Sequence, residues 1–233
     1  MPPAIEARLD ELELDYIEED LPKTLASMQV GSDRISEIVT SLRNFSRIDE
    51  AEIKPVDIHT GIDSTLLLLQ NRLKPQAKSP GIKIVKEYGD LPEVECHASQ
   101  LNQVFMNLLA NAIDALDEQI AERSTEDLKN CPPTIEICSV LKDANTVTIS
   151  IADNGPGIPP ELSAKLFDPF FTTKPVGKGT GLGLSISQKI VGENHGGTLS
   201  CSTPGSEGTE FIIELPLHAT PKRAREFAPE SPK

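Results

Sequence analysis

Basic residues are in short supply in this sequence: 22 Lys and Arg stand against 36 Asp and Glu, a net charge of −14 over 233 residues. A surface that tracks nucleic acid or anionic lipid needs the opposite balance, so no nucleic-acid partner is expected. Any polyanion must be gripped locally, by backbone amides, a few cations or a metal. Long apolar runs are missing too. The longest, around Leu66 to Leu69, falls far short of the ~20 residues of a membrane helix. Met-Pro-Pro-Ala runs straight into an acidic stretch, with no basic and then apolar leader. The four cysteines, Cys96, Cys131, Cys138 and Cys201, form no Cys-x-x-Cys pair. That argues against a metal knuckle and for reduced thiols in a cytoplasmic setting. Internal repeats are absent as well. What is present, 38% hydrophobic and 25% charged residues, describes a soluble globular chain with length for one or two domains.

The texture divides the chain into an acidic lead over 1–20, a helix within 21–50, a domain over 55–217 and a disordered tail over 218–233. Leu25, Met28, Ile35, Ile38, Val39, Leu42 and Phe45 recur at three- and four-residue steps. They predict a long amphipathic helix whose narrow stripe wants another helix against it. After Pro55 a short strand is expected over 56–59, a helix over 62–73 and a half-buried strand over 83–88. A strongly apolar helix follows over 99–120, then a loop over 122–133. Strands are expected over 134–141 and 146–152, with a Gly/Pro-rich loop from 153 to 179. Such length in a compact domain marks function. A helix over 181–194 and strands over 197–202 and 209–215 complete an α+β two-layer sandwich, helices over one face of a mixed sheet, preceded by the long amphipathic helix.

Three motifs carry chemistry. Asn107, Asn111 and Asp114 share one edge of the apolar helix, where amides and a carboxylate need a partner. Amide oxygens are donors Mg²⁺ accepts alongside substrate phosphates; alone, the pattern reads better as helix-surface residues. Asp153-Asn-Gly155-Pro-Gly157 ends a strand with a carboxylate that can accept a hydrogen bond, beside glycines that permit close backbone approach. By itself it is also an ordinary turn. Gly177-Lys-Gly179-Thr-Gly181-Leu-Gly183 runs into a helix and can present several amides to one anion. It matches neither a Walker A loop nor a strand–GxGxxG–helix unit. Together, the three in this order point to a purine nucleotide with Mg²⁺.

These residues resemble the N box (Asn107–Asn111), G1 box (Asp153–Gly157), F box (Phe167-Asp-Pro-Phe-Phe171) and G2 box (Gly179–Gly183) of sensor histidine kinase catalytic domains. That family shares the Bergerat fold with gyrase, a class of heat-shock chaperones and the mismatch-repair ATPases. The resemblance implies ATP held between the N-box helix and a lid. It implies that Asp153 binds the adenine amino group, that Asn111 coordinates Mg²⁺ with Asn107 nearby, and that Thr209 supports the adenine side. Gly181, Leu182 and Gly183 would offer amides to the phosphates, with Asp114, Gly155, Gly157, Gly179 and Thr180 around the ligand. Lys174 and Lys178 would meet the phosphate tail, and Asn107, Asn111 and Lys174 make up the implied catalytic set.

Two departures shape the expected mechanism. Hydrolytic relatives carry a glutamate four residues before the metal asparagine, whereas this chain has Asn107, and an amide cannot take a proton from water. Many histidine kinases carry a lysine where this chain has Asp114. The 21–48 helix, with Ser41-Leu-Arg-Asn-Phe-Ser-Arg47, resembles the second helix of the dimerisation and phosphotransfer hairpin, with 10–20 as the hairpin connection. The first helix, with a histidine followed by Glu or Asp and then Asn-Pro, has no counterpart. His59 is expected at a strand, His97 at a helix start, His195 in a turn and His218 at the tail, none a phosphoacceptor. Expected partners are therefore a separate histidine-bearing helix, a response-regulator receiver domain and a second copy of the chain. The competing reading is a non-catalytic protein that pairs with complete kinases through the 35–45 stripe. A gyrase-like ATPase is disfavoured by Asn107.

Overall fold

The computed structural model describes residues 20–25, 28–29, 32, 53–75, 79–174, 180–203 and 208–219. The chain divides into two units, Met1–Arg43 and Asn44–Lys233. In the first, residues 20–25, 28, 29 and 32 are helical, and Leu21, Leu25 and Met28 are exposed. The remainder of the long amphipathic helix and the tail beyond 219 lie outside the described residues.

The second unit runs β1 (Lys54–Val56), α1 (Ile58–Leu73), β2 (Lys83–Tyr88), β3 (Val94–Cys96), α2 (Ala98–Glu122), α3 (Thr125–Asn130), β4 (Thr134–Asp143) and β5 (Thr146–Asp153). It continues with α4 (Pro160–Ser163), α5 (Gly183–Lys189), a π-helical turn (Ile190–Asn194), β6 (Thr198–Ser202) and β7 (Thr209–Pro216). The main sheet has the order β2-β4-β5-β7-β6, parallel only between β2 and β4; β1 and β3 form a separate antiparallel pair. Strict alternation along β5 and β7 buries Val147, Ile149 and Ile151 with Phe211, Ile213 and Leu215 on one face only. That one-sided pattern is what an antiparallel sheet covered on a single face requires. The cover includes α2, whose Leu101, Val104, Phe105, Leu108, Leu109, Ala112, Ile113 and Leu116 are all buried in the same core. Each large side chain buried there contributes about 1.5–3 kcal/mol.

Several local expectations shift. The strand expected over 56–59 lies at Lys54–Val56, because Asp57 caps α1 by accepting the His59 N–H (2.9 Å). His59 is therefore in the first helical turn and not on a strand; its ring stacks on Tyr88 and its Nε2 meets Ser139 Oγ at 2.8 Å. The loop expected over 122–133 holds α3, whose N-cap Ser124 accepts the Asp127 N–H. The 153–179 stretch holds the short α4. The helix expected over 181–194 starts at Gly183 and widens into the π turn from Ile190.

That π turn aims His195 at the start of α2. His195 Nε2 accepts the His97 backbone N–H (3.0 Å), so Nδ1 carries the proton and donates to Ile190 O (2.9 Å). A distant imidazole thus satisfies a helix-start N–H that His97 leaves without a side-chain cap. Asn194 Nδ2, donating to Gln100 Oε1 (2.8 Å), adds a second tie to α2. Burial pushes the His195 pKa down; the Ile190 bond opposes this and the nearby His97 adds to it. A histidine with a depressed folded pKa contributes stability that is present above about pH 6.5 and is lost as pH falls through the folded value. Wild type should therefore lose stability relative to His195→Gln on acidification, by up to about 1.4 kcal/mol per pH unit. Parallel urea unfolding curves for the two proteins from pH 7 to pH 5 would refute the neutral clasp.

Candidate active site

A cavity of about 420 Å³ opens between α2, the end of β5, the Gly/Pro-rich stretch, the start of α5 and the start of β7. It gathers Asn107, Asn111, Asp114, Asp153, Gly157, Lys174, Thr180, Gly181, Gly183 and Thr209, all expected from sequence. Gly155 lies just behind the wall and Leu182 is the N-cap of α5. Lys178 and Gly179 lie outside the described residues.

Asp153, the last residue of β5, lines this cavity, buried and paired in register with Thr209 across the sheet. Its Oδ1 accepts the Gly155 N–H at 2.9 Å. Burial pushes its pKa up to about 6, although backbone N–H groups of Gly155 and Thr209 pull the other way. A carboxylate this desolvated, facing a cavity, is ready to accept a donor from a ligand. Gly155 makes room for it, since a Cβ there would sit 2.7 Å from Asp153 Oδ1.

The sequence reading missed what fixes this turn. Asn154 Oδ1 accepts the Thr134 N–H (2.8 Å), its Nδ2 donates to Pro132 O (2.9 Å), and its carbonyl accepts from Gln119 Nε2 (3.1 Å). The turn is thereby bolted to both β4 and α2. A glutamine in the apolar run of α2 was the available signal.

A second stretch of the cavity wall is charged. Lys174 Nζ donates to Asn111 Oδ1 (3.3 Å) and pairs with Asp114 Oδ2. Asp114 Oδ1 also receives Arg72 Nη2 (2.6 Å), which reaches Asp117 Oδ2 as well (2.8 Å). Burial raises the Asp114 pKa, but Lys174 and Arg72 outweigh it and hold the carboxyl below its ordinary range. Arg72, in the last turn of α1, was not among the residues expected here.

Asn107, one turn before Asn111 on α2, clasps α5. Its Nδ2 donates to Gly183 O and to Ser187 Oγ, both at 3.1 Å, so its amide nitrogen is turned onto that helix. Gly181 adopts φ +65 against Phe170, itself at φ +67; a Cβ on Gly181 would lie 2.4 Å from the Phe170 carbonyl carbon. The F-box loop and the glycine run are therefore in backbone contact. No side chain caps α5, and Thr180 Oγ1 accepts the Leu182 N–H at 3.4 Å.

Residues 96–219 match the family described as histidine kinase-, DNA gyrase B-, and HSP90-like ATPase. Over 215 residues the chain is 36% identical to the two-component sensor PprA of Pseudomonas aeruginosa, covering 89% of this chain and 21% of PprA. The chain spans less than half the length of the curated relatives it matches. The catalytic domain of the histidine kinase ThkA superposes with a TM-score of 0.58 at 32% identity, covering 72% of this chain and 99% of that domain. ThkA in complex with the response regulator protein TrrA gives 0.55 at 28% identity, covering 87% of this chain and 53% of that one. Motifs, sheet order and cavity agree with these likenesses: the chain belongs to the histidine kinase-, DNA gyrase B-, and HSP90-like ATPase family and carries the ATP-binding catalytic domain of a sensor histidine kinase.

Proposed function

We propose that this chain is the donor half of a two-component phosphotransfer reaction, holding ATP with Mg²⁺ and passing the γ-phosphoryl group to a histidine outside its 233 residues. The aspartate of a response-regulator receiver domain is the onward acceptor. One observation carries the choice of transfer over hydrolysis. Where hydrolytic relatives place a glutamate, Asn107 presents an amide whose nitrogen is committed to Gly183 and Ser187. Such a group does not activate water. Phosphoryl transfer instead asks for positioning and charge neutralisation.

In this reading Asp153 accepts the adenine amino group, with Thr209 supporting it and the walls formed by Ala115, Ile158 and Phe211 against the ring. Gly181, Leu182 and Gly183 direct amides to the phosphates. Among the described residues no cluster of His, Cys, Asp or Glu is arranged to hold a metal. The Asn111 amide oxygen, with Asn107 nearby, fits a hard cation that takes its remaining ligands from water and phosphate. When bound, Mg²⁺ neutralises charge developing on the β- and γ-phosphate oxygens. The acceptor imidazole nitrogen forms the new bond to the γ-phosphorus as the bond to the β–γ bridging oxygen breaks, and ADP leaves.

The 21–50 segment is assigned as half of a dimerisation hairpin, 55–217 as the ATP-binding unit, and a homodimer as its assembly. The ThkA–TrrA complex supports a receiver-domain partner. No helix among the described residues is long and apolar enough to cross a membrane, and Cys96, Cys131, Cys138 and Cys201 are free. A cytoplasmic setting is part of the proposal. Mixing the chain with γ-labelled ATP, Mg²⁺ and a separately produced histidine-bearing hairpin should label the hairpin in trans. Nucleotide binding without any labelling would favour the non-catalytic interaction protein.

A further inference from the structure

Arg72 begins a chain of charged contacts that ends at the proposed metal ligand. Its Nη2 meets Asp114 Oδ1 and Asp117 Oδ2, Asp114 Oδ2 holds Lys174, and Lys174 lies 3.3 Å from Asn111 Oδ1. An ammonium on that oxygen and a divalent cation on the same oxygen repel each other. Loading of Mg²⁺ with a nucleotide therefore requires Lys174 to leave Asn111, and the incoming triphosphate gives it a more highly charged place to go. Leaving has a cost: it strips a cation from Asp114, a partly buried carboxylate. Arg72 meets this cost in advance. It occupies the other oxygen of Asp114, is braced by Asp117, and sits on α1, an element apart from the loop that carries Lys174.

Resting on the reading of Asn111 as metal ligand, we propose that Arg72 is a positioning residue for nucleotide loading: it keeps Asp114 neutralised, so that Lys174 can move from Asn111 and Asp114 to the phosphates. Asp114 is then a parking place for the lysine, shared between a fixed cation and a movable one. Without Arg72 the full negative charge of Asp114 falls on Lys174 and retains it over Asn111.

The test is equilibrium binding of two probes, Mg²⁺ with a non-hydrolysable ATP analogue and adenosine alone, to the full chain. Arg72→Met should weaken the Mg²⁺–ATP analogue about five- to thirtyfold, the size of one charge-assisted contact at a part-exposed site, and leave adenosine affinity within about twofold. Arg72→Lys should stay near wild type. Adding Asp114→Asn to Arg72→Met should restore analogue affinity, because the neutral side chain no longer retains Lys174. Equal loss of both probes, no loss of the analogue, or no rescue by Asp114→Asn would each overturn the proposal. Failure of the site reading is separable: adenosine binding unaffected by Asp153→Asn would remove the site itself, whatever Arg72 does.

Discussion

Replacing Asp153 by Asn is expected to weaken adenine-nucleotide binding by about 10- to 150-fold, the worth of a hydrogen bond to a charged acceptor. The carboxylate is buried, and its Oδ1 already accepts the Gly155 N–H. An asparagine that keeps that bond through its oxygen turns its NH₂ toward the ligand, so donor meets donor. The same carboxylate makes binding pH-dependent. With its pKa pushed up to about 6 by burial, the empty site is largely protonated at pH 5. If the nucleotide takes only the ionised form, affinity falls about tenfold between pH 7 and pH 5. The sign for stability is opposite: a raised folded pKa favours the empty fold as pH drops below about 6, while the ligand is lost. Titrating a fluorescent ATP analogue against wild type and Asp153→Asn across this range separates the effect from titration of the ligand's own phosphates. Equal affinities, or equal pH slopes, would remove Asp153 from the adenine end.

Gly181→Ala is expected to lower ATP affinity about 10- to 100-fold and the melting temperature by a few degrees, while leaving adenosine binding near wild type. The left-handed conformation at φ +65 costs an alanine about 1–2 kcal/mol. The larger effect is steric. The new Cβ would lie 2.4 Å from the Phe170 carbonyl carbon, a backbone atom that no rotamer change can move away. The loop must shift, and with it the amides of Gly181, Leu182 and Gly183. Core side chains such as Ile113 and Ile149 are not among the atoms the new Cβ would meet, and they keep their packing. Competition experiments with ATP and with adenosine distinguish a phosphate cradle from general support. If both ligands weaken equally, the glycine run serves the fold and not the phosphates.

What could be read from sequence, and what could not, follows from range. The apolar Ile84, Val85 and Tyr88 of Lys83–Tyr88, the apolar stripe of α2 and the alternating β5 and β7 are local signals over six residues or more, and the structure places those elements within a few residues of expectation. β1 and β3 have three residues each, too few to show a period, and exist because they pair with one another. The π turn leaves no local mark either, since its consequence, His195 on the His97 N–H, spans 98 residues. In the site, Asn111, Asp153 and Gly181 announced themselves through residue type and spacing. Arg72 did not, because it looks like any basic residue closing a helix until Asp114, 42 residues on, is folded against it. The role of Asn107 was half legible: the missing glutamate was plain, but its grip on Gly183, 76 residues away, was not.

The most direct test of the central claim follows two products in one reaction. With γ-labelled ATP, Mg²⁺, this chain and a histidine-bearing hairpin, label on the hairpin and free phosphate are measured over the same time course. Hairpin labelling is expected to outrun phosphate release by about a hundredfold, the factor that lack of a general base costs hydrolysis. Steady phosphate release with an unlabelled hairpin would contradict it, and would place Asn107 in a hydrolytic site.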